Sequence, residues 1–111
     1  MLTIEKLKAF GANTAEGVAR CVNNEAFYLR MVGKAAADAN YAKLESAVHA
    51  GDMQAAFEAA HALKGVLSNL ALTPILTPVQ EITDLLRVRA DADYESLLKT
   101  ILEKKRELET L

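Results

Sequence analysis

Apolar residues recur along the chain at intervals of three and four, in runs punctuated by Gly, Asn, Asp or Pro, which is the pattern of amphipathic helices. Ile4, Leu7 and Phe10 follow Thr3, a favourable N-cap, and end at Gly11, predicting a short first helix. Asn13 opens a second short piece, Thr14 to about Cys21. Phe27, Met31 and Val32, flanked by Tyr28 and Ala35, predict a longer helix from about Asn24 to Ala37. Asp38-Ala39-Asn40 breaks it, because short polar side chains compete for turns. Tyr41, Leu44, Ala47 and Val48 form the next helix, which Gly51 stops.

Asp52 caps a helix from about Met53 to Leu70. Thr73-Pro74 reads as a cap followed by Pro, opening another. Pro78 lacks an N–H, so either this helix begins near Thr77 or its first turn is distorted; Val79, Ile82, Leu85 and Leu86 carry it to about Arg89. Asp91 or Asp93 caps a last helix with Tyr94, Leu97, Leu98, Ile101 and Leu108 on one stripe, and Glu95 and Lys99 pair on its outer face. The stripes are wide and interrupted, unlike coiled-coil heptads. The expectation is an all-α fold, an antiparallel four-helix bundle with short additional N-terminal helices.

Composition agrees. The chain has 111 residues, a length for one domain, taken here as 1–111, and about a third of it is Ala or Leu. Aromatic residues are only 5%, which argues against a β-sandwich. Thirteen basic and fifteen acidic side chains give a net charge of −2, without the basic excess that nucleic-acid binding needs. Lys104-Lys105-Arg106 lies among Glu103, Glu107 and Glu109 and reads as a solvated face. Cys21 is alone and reads as a small, partly buried hydrophobe in a reducing compartment. Glu5, Lys6 and Lys8 stand where a signal peptide would be apolar, and no apolar run approaches a membrane span, so a cytoplasmic location is expected. His49, close before Gly51, suits a helix C-terminus, where a cation meets the helix dipole favourably. His49, His61 and Cys21 have no zinc-ligand spacing, and no metal site is expected.

The helix from Met53 carries the candidate chemistry. With His61 at zero on a helical wheel, Ala56, Ala59, Leu63, Val66, Leu67 and Leu70 fall in the opposite half. Gln54, Phe57, Lys64, Gly65 and Ser68 fall within roughly 60° of His61. His61 is therefore expected on the solvent side, not in the core. Gly65 in mid-helix costs about 1 kcal/mol relative to Ala where no turn is needed. Lys64 sets an ammonium one turn from an imidazole, suited to holding an anion, and Phe57 places a large ring on the same face.

Ala60-His61-Ala62-Leu63-Lys64-Gly65 followed by Ser68-Asn69-Leu70 resembles the signature of histidine-containing phosphotransfer (HPt) domains, commonly His-x-Leu-Lys-Gly and then Asn-Leu-Gly. Gly17-Val18-Ala19-Arg20, Asn24-Glu25-Ala26-Phe27-Tyr28-Leu29 and Ala50-Gly51-Asp52 resemble the family's lead-in helices, so the likeness covers the chain from about residue 14. Ala71 stands where the family often has Gly, and Pro74 and Pro78 make the next helix atypical.

The resemblance implies a phosphorelay intermediate: His61 takes a phosphoryl group on Nε2 from a receiver-domain aspartate and passes it to another receiver aspartate. In that chemistry Lys64 neutralises the phosphoryl oxygens, and Gly65 clears room for the partner. Ser68 bonds either those oxygens or the other ring nitrogen, while Gln54 and Phe57 belong to the docking surface. No cofactor is expected on this chain; Mg²⁺ belongs to the receiver. The implied partners are response-regulator receivers and a hybrid sensor histidine kinase, with the chain a monomer. No phosphate-binding loop is present, so no kinase activity is expected. The alternative is a non-catalytic helical bundle that binds a receiver or another signalling partner.

Overall fold

A computed structural model describes all 111 residues and contains seven helices and no strand. They are α1 (Ile4–Phe10), α2 (Thr14–Arg20), α3 (Glu25–Ala36), α4 (Asn40–Ala50), α5 (Met53–Asn69), α6 (Thr73–Arg87) and α7 (Tyr94–Glu109). Helices α4 to α7 close a ring in which each packs on the next and α7 returns to α4, while α3 lies against α7 and α1 and α2 precede it. The all-helical four-helix bundle with small N-terminal helices is thus as the sequence pattern predicts. No helix is long and apolar enough to cross a membrane.

Local chemistry explains the boundaries. Thr3, Asn13, Asn24, Asp52 and Asp93 each accept a hydrogen bond from the backbone N–H three residues on, satisfying a donor that a helix start leaves unpaired. The Ser96 hydroxyl and N–H also hold the Asp93 carboxyl below its usual range. Gly11 and Gly51 end α1 and α4 in the left-handed conformation. Helix α5 ends the same way without glycine. Ala71 has φ +54, its N–H donates to the Ser68 carbonyl, and the Leu72 N–H donates to Leu67, with both leucines buried.

Three expectations need correction. Helix α6 does not wait for Thr77. It starts at Thr73, with Leu72 at the cap position and Pro74 in the first turn, and runs through Pro78. Pro78 is buried, and this apolar packing offsets its missing donor. Glu95 does not pair with Lys99; its Oε2 lies 3.2 Å from His49 Nε2 across the α4–α7 seam, an exposed contact worth little. Cys21 is fully buried rather than partly so, at the C-cap of α2.

The core is one cluster running from Leu7 to Leu108 and includes Tyr28, Val32, Leu44, Leu63, Ile82 and Ile101. The N-terminal segment closes one end of it by gripping the end of α5. Asn13 N–H donates to the Ala71 carbonyl at 3.0 Å, Tyr28 Oη to the Leu70 carbonyl at 2.9 Å, and Arg20 Nη1 to the Ser68 carbonyl at 2.8 Å. Ser68 lies in the last turn of α5 and Leu70 and Ala71 directly follow it, where carbonyls are no longer paired along the helix. Gly17 is buried in this joint, where an added Cβ would lie 2.3 Å from Tyr28 Cε1 and 2.7 Å from the Leu70 carbonyl oxygen.

Candidate functional site

Helix α5 lays Ala56, Ala59, Ala60, Leu63 and Leu67 into the core, and this sets which residues are left outside. His61 is exposed, one turn from Gly65, which is also exposed. Gln54 is exposed, whereas Phe57, Lys64 and Ser68 are half-buried along the α6 side of the same strip. All six residues lie where the wheel places them, with one qualification: the wheel treats α5 as alone. The neighbouring α6 covers part of Phe57, so the exposed ring expected from the sequence is half-buried instead.

The face carries few internal commitments. A Cβ built on Gly65 meets nothing within 4 Å, so the chain's own packing does not require a glycine there. Its bare backbone leaves room for something outside the chain. Lys64 makes no ion pair with a carboxylate of the chain, in contrast to Lys104 with Glu107 and Lys105 with Glu109. Ser68 takes part through its carbonyl, bonded to Arg20. The His61 ring stacks on Phe57, with centroids 5.6 Å apart and planes 18° from parallel.

Three cations reach the strip from elsewhere. The Arg87 guanidinium lies 5.7 Å from the centre of the Phe57 ring. Arg89 Nη2 donates to Gln54 Oε1 at 3.3 Å, and Gln54 Nε2 donates to Glu58. Arg20 sits at the Ser68 end, paired with Glu16. Arg20 and Arg87 are paired with Glu16 and Asp84, whereas Lys64 and Arg89 have no carboxylate partner in the chain. Sequence reasoning missed these arginines because none shares a helix with His61. A signal existed for two of them: α5 and α6 form a hairpin about Ala71, so the end of α6 must lie beside the start of α5.

No cluster of His, Cys, Asp and Glu suited to a metal ion is present. The largest groove, about 630 Å³ between α4 and α5, is lined by residues such as Lys43, Ser46, Asp52 and Glu58 and does not include His61. The strip is thus an open face, suited to a macromolecular partner more than to an enclosed small molecule. An exposed imidazole with an unpaired ammonium one turn away can act as a nitrogen nucleophile toward an anionic electrophile.

A family model described as Hpt domain matches residues 32–111, a span that contains the C-terminal part of α3 from Val32 and all of α4 to α7. No curated protein and no solved structure gave a significant match to the chain.

Proposed function

Because the chain belongs to the Hpt domain family, whose members act in phosphorelay histidine phosphotransfer with receiver domains, we propose that His61 is the residue phosphorylated. The observation that carries this reading is the exposed His61 imidazole beside the bare backbone of Gly65. A flat receiver active site needs such an opening to close over the ring.

The His61 Nε2 lone pair attacks the phosphorus of a receiver aspartyl phosphate in line with the bond to be broken. The N–P bond forms, the bond between phosphorus and the aspartate oxygen breaks, and the carboxylate departs with its electron pair. The other ring nitrogen releases its proton, leaving a neutral phosphoimidazole ring. A second receiver aspartate reverses the sequence and takes the phosphoryl group onward.

Lys64 neutralises the phosphoryl oxygens as a mobile point charge. The Ser68 hydroxyl supplies a hydrogen bond to those oxygens or to the second ring nitrogen, and Gln54 lies on the docking face. Mg²⁺ is carried by the receiver. The chain needs no nucleotide of its own, works as a monomer in the cytoplasm, and has receivers and a hybrid sensor histidine kinase as partners.

The test is transfer from a phosphorylated receiver, with Mg²⁺, to the wild-type chain and to His61→Gln, read by intact mass and by acid and alkali stability. An acid-labile, alkali-stable phosphoryl group on wild type alone is the expected result. Absence of transfer from several active receivers would leave a domain that binds without chemistry.

A further inference from the structure

An imidazole used in chemistry is ordinarily oriented by a hydrogen bond to its second nitrogen. His61 has no such bond within the chain. Its neighbours Gln54 and Glu58 are bonded to each other, and Gln54 also to Arg89. What faces the ring is Phe57, nearly parallel at 5.6 Å, within the range of offset aromatic stacks. Phe57 is itself held. It is half-buried, the Arg87 guanidinium lies over it, and Arg87 Nη1 donates to Asp84 Oδ1 at 3.1 Å. A chain of contacts therefore runs from α6 through Phe57 to the imidazole.

We propose that Phe57, pinned by Arg87, is a positioning residue that fixes the plane of the His61 ring for phosphoryl transfer. This rests on the phosphotransfer reading above and changes the part assigned to Phe57 from docking to orientation. The direction of the Nε2 lone pair follows the ring plane, and in-line displacement needs that lone pair, the phosphorus and the leaving oxygen on one axis. A ring free to turn about its Cβ–Cγ bond spends little time on that axis. A Phe57 side chain engaged by both His61 and Arg87 has little surface left to offer a partner.

The experiment measures transfer from a phosphorylated receiver as a function of its concentration, for wild type, Phe57→Leu, Phe57→Tyr and Arg87→Gln, each shown to be folded by circular dichroism. His61 ring proton shifts are recorded by NMR on the same unphosphorylated chains. Phe57→Leu lowers the rate at saturation about tenfold while the half-saturating concentration stays within about twofold. Phe57→Tyr restores the rate, and Arg87→Gln gives a smaller loss. The ring-current shift of the His61 protons is present in wild type and Phe57→Tyr and absent in Phe57→Leu.

A raised half-saturating concentration with an unchanged saturating rate would make Phe57 a docking residue and overturn the inference. So would a wild-type His61 ring without the ring-current shift. Wild type that accepts no phosphoryl group overturns the functional reading and this inference with it. Wild type that accepts one, with Phe57→Leu indistinguishable from it, overturns this inference alone.

Discussion

Arg20 donates from Nη1 to the main-chain carbonyl of Ser68 at 2.8 Å, joining α2 to the last turn of the helix that carries His61. Tyr28 and Asn13 make the neighbouring bonds to Leu70 and Ala71, so residues outside the family-matched span complete the end of α5.

This joint is tight at Gly17. Gly17→Ala pushes a methyl group into Tyr28 and the Leu70 carbonyl, and the expected loss is about 1–3 kcal/mol, seen as a lower Tm. An unchanged Tm would mean that α2 can shift away without cost.

The two buried tyrosines should respond oppositely to loss of their hydroxyls. Tyr28 Oη is bonded to the Leu70 carbonyl, so Tyr28→Phe costs about 1–2 kcal/mol. Tyr41 Oη is buried without a hydrogen-bond partner, so Tyr41→Phe is neutral or stabilising by up to about 1 kcal/mol. Urea titration of both variants separates these outcomes.

Stability should fall at strongly alkaline pH, where the two buried tyrosines are driven to ionise. Burial, then the nearby Cys21, pushes the Tyr28 hydroxyl from 10.0 up to about 12. Burial and the carboxylates of Asp38 and Glu109 push Tyr41 up as well. Both groups bind their protons more tightly folded than unfolded. Their contribution is complete below about pH 10 and is lost as pH rises toward about 12 and beyond. Unfolding monitored by circular dichroism should coincide with a late rise in phenolate absorbance; tyrosines that all ionise near pH 10 while the helices persist would contradict it.

Ala71 sits at φ +54, where an L side chain is strained. Ala71→Gly relieves that strain, and a gain of about 0.5–1 kcal/mol is expected despite the methyl group lost from a buried site. A lower Tm would show that burial outweighs the backbone term.

Gly65 has the reverse character. With nothing within 4 Å of an added Cβ, Gly65→Ala should stabilise the isolated chain by about 1 kcal/mol, while Gly65→Glu should keep its helicity and block transfer from a receiver. Transfer at the wild-type rate in Gly65→Glu would remove the need for an opening beside His61.

Much of this was legible in the sequence because the information is local. A cap such as Asn24 or Asp52 acts on a backbone N–H three residues away, and the alternation that buries Leu63 and exposes His61 needs only the period of one helix. What was not legible depends on a neighbour. Pro78 inside α6 is tolerated because it is buried, and Glu95 meets His49 instead of Lys99 because α4 lies alongside α7. Arg87 and Arg20 reach the strip only after the hairpin and the N-terminal segment have folded. Ala71 carries no sign, in its own residue type, of a left-handed turn.

The grip on the end of α5 also bears on how a partner comes and goes. With three long-range bonds at one end and the Asp52 cap at the other, α5 presents its outer face already in one arrangement. Docking then spends little free energy on ordering the backbone. A preordered face needs less contact energy to bind at a given affinity, so a domain of a phosphorelay family can bind a receiver specifically and still release it quickly.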